Sequence, residues 1–165
     1  MKGKTIVYLL CITGLFGTVL KTTAQEKPVF DRSLFYKAMA SEKSAEVDAE
    51  IDLLNHTEIP DKDAYLGALS MKKAAFAGNP HKKLSLFKAG HKKLEAAIKT
   101  NADNPEYRFL RLIVQENAPG ALGYKGEIKS DSDYIRKSYK DLPEDLQASI
   151  KNYSKKSKTL KPADF

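Results

Sequence analysis

Arg108 and Arg111 stand about one helical turn apart in the segment EYRFLRLIVQENAPGALGYKGE, residues 106–127, which also carries Gln115, Glu116, Asn117 and Tyr124. Two guanidinium groups on one face are well suited to gripping a carboxylate or phosphate, because each presents a planar fork of donors. Together with Gln115, Glu116, Asn117 and Tyr124 they define a candidate anion or small-ligand site beside the loop 117–127. An enzyme or a ligand carrier would be built there. The opposing expectation is a structural ion-pair network. Arginines on a mostly apolar helix ordinarily need acidic partners, supplied here by Glu116 or by an acid of the second or third helix.

No other constellation competes with this one. His56, His81 and His91 lack the spacing of metal ligands, so no metal site is expected. His91 falls in an apolar stripe, where a core or boundary histidine is the simpler reading. HExxH, GxSxG and phosphate-binding glycine loops are absent from the sequence, and no Ser–His spacing suggests a nucleophile. Glu46, Asp48, Glu50 and Asp52 alternate along one stretch and read as surface charge, or as partners for the arginines. No cofactor is called for, and binding is a better expectation than catalysis.

The N-terminus reads as an export leader. Lys2 and Lys4 precede an apolar run from Thr5 to Leu20, and Thr22-Thr23-Ala24 supplies small residues for cleavage between Ala24 and Gln25. That run is about sixteen residues, short of the roughly 20 that a spanning helix requires. The single cysteine, Cys11, lies inside the run after Leu10, too bulky for a lipoprotein signal. The exported chain would therefore contain no thiol and be held by its core alone. Removing residues 1–24 takes away three lysines and no acid, which lowers the net charge from +7 to +4. That value suits an ordinary surface and gives no reason to expect nucleic acid.

The elements that must position the arginines are all helical. After an extended lead-in, 25–31, the spacing predicts helices over 32–42 and 44–55, the second carrying Val47, Ile51 and Leu54 on one face. A third opens at Asp61 or Asp63 and presents Leu66, Leu69 and Phe76, with small residues that admit a neighbouring helix closely. The fourth, 80–100, has Leu84, Phe87, His91, Leu94 and Ile98 at alternating three- and four-residue steps, with Pro80 in its first turn. The fifth begins at Pro105 with Asn104 as cap, and its polar residues form one stripe beside a broad apolar face. A sixth is capped within Ser130-Asp131-Ser132, and a seventh follows Pro143. Residues 32–154 thus form one all-α domain of about seven antiparallel helices. The lysine-rich 155–165 reads as a basic, flexible tail.

The stretch GHKKLEAAIKTNADNPEYRFLRLIV, residues 90–114, resembles the junction between tetratricopeptide-type repeats. Gly90, Leu94, Ala97 and Ile98 match the second helix of such a repeat. Asp103-Asn104 looks like its closing turn, and Tyr107, Leu110 and Val114 like the opening of the next. Arg111 departs from the small residue usual at its position, and Ala102 stands where proline is usual. The chain also looks like the small exported helical proteins of Bacteroidota. This resemblance implies a surface for a protein or peptide partner rather than catalytic residues. The lysine-rich tail would add contact with anionic surfaces, and the sequons at Asn55 and Asn152 would be glycosylated only in a host that does so.

Overall fold

Local signals start and stop each helix. Asp31 accepts hydrogen bonds from the backbone N–H groups of Ser33 and Leu34 and opens α1, Arg32–Ala40. α2, Ser44–His56, follows Lys43 and has no side-chain hydrogen bond at its cap. α3 runs Lys62–Ala74, and Asn79 caps α4, Pro80–Thr100, through the Lys82 N–H at 2.8 Å. Asn104 caps α5, Pro105–Asn117, through Glu106 and Tyr107, as the Asn-Pro pair predicts. After a single 3-10 turn at Gly120–Leu122 come α6, Ile128–Ser138, and α7, Glu144–Ser154. This computed structural model describes residues 29–165. The proposed leader and its cleavage point lie outside the described residues. The described chain is all-α, without a strand, and none of its helices is long and apolar enough to cross a membrane.

α3 and α4 make the most intimate helix pair, and two glycines permit it. A Cβ added at Gly90 would lie 2.5 Å from the Gly67 carbonyl oxygen and 2.9 Å from the Met71 nitrogen. One added at Gly67 would meet the Gly90 carbonyl oxygen at 2.8 Å. Both obstacles are backbone, which cannot swing aside, so only glycine admits this separation. The core continues from this hairpin through every helix. Phe35, Leu54, Leu69, Leu94, Phe109, Ile135 and Ile150 are all essentially inaccessible to solvent.

Three expectations are corrected. The acids of α2 are not uniformly exposed: Glu50 is buried, one of its carboxylate oxygens has no hydrogen-bond partner, and burial together with Asp31 raises its pKa. Asp131 does not cap α6, which begins three residues earlier, and is itself fully buried. Residues 155–165 are not a frayed tail. Their lysines are exposed while Ser157 and Leu160 turn inward, Leu160 being wholly buried. Arg136 holds Asp164 at 2.9 Å, and Phe165 lies against Tyr139 with ring centroids 4.4 Å apart.

Candidate functional site

α5 is the central helix, and its polar residues tie it to several other elements. At its start, Glu106 accepts from Arg32 Nε at 2.9 Å and from the Tyr36 hydroxyl at 3.0 Å, joining α5 to α1. Burial, then the Glu106 charge, pushes the Tyr36 phenol well above its ordinary pKa. Midway, Arg111 grips Asp131 of α6 with two parallel bonds, Nε at 2.7 Å and Nη2 at 2.8 Å, and reaches Glu95 of α4 at 3.1 Å. Burial alone would lower the pKa of Arg111, but the Asp131 and Glu95 carboxylates act against it and the net direction is upward. Arg108 adds a longer contact to Asp131 at 3.3 Å, donates to the Ala102 carbonyl and lies over the Tyr134 ring.

The arginine partners therefore come from α6 and α4, not from Glu116 or from the second and third helices. Glu116 belongs to a separate cluster. It accepts from the Tyr153 hydroxyl at 2.7 Å, from Ser157 Oγ at 2.8 and 2.9 Å and from the Thr159 N–H at 2.8 Å. Asn117 donates to the Ile113 carbonyl and to the Tyr153 oxygen. Gln115 donates to Glu127 at 2.6 Å, while its own carbonyl oxygen has no protein partner. Tyr124 pins the glycine-rich loop: its hydroxyl donates to Glu95 at 2.5 Å, and its ring meets His91 and Phe87 edge-on. Five of the six candidate residues thus fall into two internally bonded clusters, Arg108, Arg111 and Tyr124 in one and Glu116 and Asn117 in the other, while Gln115 pairs separately with Glu127, and they do not converge on one opening. Among the described residues no group of three or more potential metal-ligating side chains occurs.

The large opening lies elsewhere. A groove of about 1010 Å³ runs between α1, the end of α3, the start of α4, the 3-10 turn and α7. Of the six candidates only Asn117 lines it. Its floor is formed by Met39, Met71, Phe87, Ile113 and Val114, and its walls by small residues, among them Ala40, Ala75 and Ala148. Leu84, assigned by its period to the core face of α4, is 41% exposed at the edge of this groove. Lys37, Lys72, Lys83 and Lys156 also line it, and none makes an ion pair among the described residues. The single acid there, Asp145, is already bonded to Arg32. Burial and then Lys156 lower the pKa of Lys72, so these two ammonium groups sense each other.

The chain matches no protein-family model, no curated protein and no solved structure. The groove and the two bonded clusters are therefore what a functional reading rests on. Sequence reasoning missed the groove because it is a space lined by six elements dispersed along the chain, α1, α3, α4, α5, the 3-10 turn and α7. The one local signal was Leu84, an apolar residue with lysines on either side of its turn.

Proposed function

We propose that this protein is an exported, non-catalytic binding module that takes a segment of a protein or peptide partner in the groove between α1, α4 and α7. The observation that carries this reading is an open apolar groove of about 1010 Å³ in a molecule whose buried polar groups are otherwise almost all engaged. A small-molecule site places a few polar groups so that they converge on a head group. Here the polar atoms of the floor are occupied: the Tyr36 and Tyr153 hydroxyls donate to Glu106 and Glu116. The four lysines come from four separate stretches of chain around the rim. Such a surface fits an extended partner better than a compact ligand. Export rests on the N-terminal leader. The closely packed α3–α4 pair is in keeping with tetratricopeptide-like hairpins, which act through surfaces.

The test uses Nile red, a neutral apolar dye, with Ala40→Trp and Ala148→Trp combined to fill the groove from both sides. Both alanines are exposed, so the fold tolerates the change. The parent should bind the dye with a blue-shifted emission, and the filled variant roughly ten-fold more weakly, a loss of about 1.4 kcal/mol. No binding by the parent, or equal binding by a folded double variant, overturns the reading.

A further inference from the structure

We infer that the segment held in the groove is an amphipathic helix with acidic flanks, one of whose carboxylates sits between Lys72 and Lys156; this rests on the groove reading above. Helicity follows from what the groove lacks. Its walls are helices whose backbone groups are already bonded within themselves, so an extended peptide would lay unpaired N–H and C=O groups over an apolar floor. A helix satisfies its own backbone and offers only side chains. The exposed Ala40, Ala75 and Ala148 let such a helix come close, and Leu84 gives an apolar contact at the edge.

The sign of the partner follows from the rim. Lys37 on α1, Lys72 on α3, Lys83 on α4 and Lys156 after α7 surround the apolar floor without acidic partners. Lys72 is half-buried, lies over the Phe76 ring and is disfavoured as a cation by burial and by Lys156. A carboxylate placed between the two ammonium groups removes their repulsion and restores what burial costs Lys72. The same rim disfavours a second copy of this chain, since a symmetric contact would face these lysines with themselves. It equally disfavours the chain's own leader, which carries lysines and no acid.

The probes are a designed peptide of about 18 residues, roughly 27 Å of helix, with a leucine and alanine face flanked by glutamates, and its counterpart with lysine flanks. Palmitate serves as the lipid competitor. The glutamate peptide should displace Nile red, become helical on binding and raise the melting temperature of the parent. The lysine peptide should bind at least about ten-fold more weakly, a difference of about 1.4 kcal/mol. Lys72→Gln combined with Lys156→Gln should weaken the glutamate peptide by about three- to ten-fold and flatten its salt dependence. An unchanged helical circular dichroism spectrum of that variant shows that its fold is intact. Equal binding of the two peptides overturns the acidic partner and leaves the groove reading standing. Displacement of the dye by palmitate and by neither peptide overturns the peptide occupant in favour of an acyl chain. Failure of the parent to bind dye removes the groove reading on its own.

Discussion

At the scale of single residues, Arg108 and Arg111 look alike in sequence and differ in energetic standing. Arg111 is buried and is the principal counter-charge of Asp131, which is wholly excluded from solvent. Arg108 is 20% exposed in its side chain and only shares that acid from 3.3 Å. Arg111→Met should therefore cost about 3–5 kcal/mol, the usual loss when one member of a buried pair is removed. Arg108→Met leaves the bidentate pair in place, and about 1–2 kcal/mol is expected for one hydrogen-bonded charge and its stacking on Tyr134. Thermal melts of both variants, with and without sulfate, check this. Sulfate stabilisation of the parent that disappears in a variant as stable as the parent would mean an anion site instead. The pairing requirement was legible from the arginines' place on an apolar helix, but the partner was not. Asp131 lies among serines and reads as a cap, because a local pattern cannot register an ion-pair partner 20 residues away.

Among the elements, the bounds of α4 were legible from sequence: Asn79-Pro80 opens it, Asn101 follows its last residue, and its apolar period runs between them, with Leu84 alone of that period exposed. The C-terminal segment was not. Its lysines dominate the composition and are exposed, whereas the two residues that dock it, Ser157 and Leu160, have no periodic context. Its main partner, Glu116, lies about forty residues earlier. Glu116 gathers Tyr153, Ser157 and the Thr159 N–H, and Lys158 donates to its backbone carbonyl. The segment thus closes the C-terminal end of α5 and supplies Leu160 to the core. Leu160→Ala should destabilise the protein by about 2–5 kcal/mol, as for other fully buried leucines. Lys155→Ala, whose exposed side chain reaches only Asn152, should stay within about 0.5 kcal/mol. Denaturant melts distinguish a docked segment from a loose one: equal stability of the two variants would return residues 155–165 to a tail.

For the whole molecule, the placement of α5 decides how the protein unfolds. Its Glu106 end is bonded to α1, its middle to α4 and α6, and its Glu116 end to the chain beyond α7. α1 in turn packs against α7, and one continuous apolar cluster includes residues from all seven helices. In a stack of hairpins that touch only their neighbours, end units can open while the middle stays folded. Here opening either end strips a counter-charge or hydrogen-bond partner from α5, which leaves buried Glu106 or Glu116 without compensation. Local unfolding is thereby made nearly as costly as global unfolding. A urea titration followed by helical circular dichroism, by tyrosine fluorescence and by release of Nile red should give one coincident transition, with a slope of about 1–3 kcal/mol per molar. Arg111→Met should move all three curves to lower urea together, because its contacts join three elements. Separation of the curves, with helicity lost before the groove releases its dye, would show that the ends of the molecule are independent of α5.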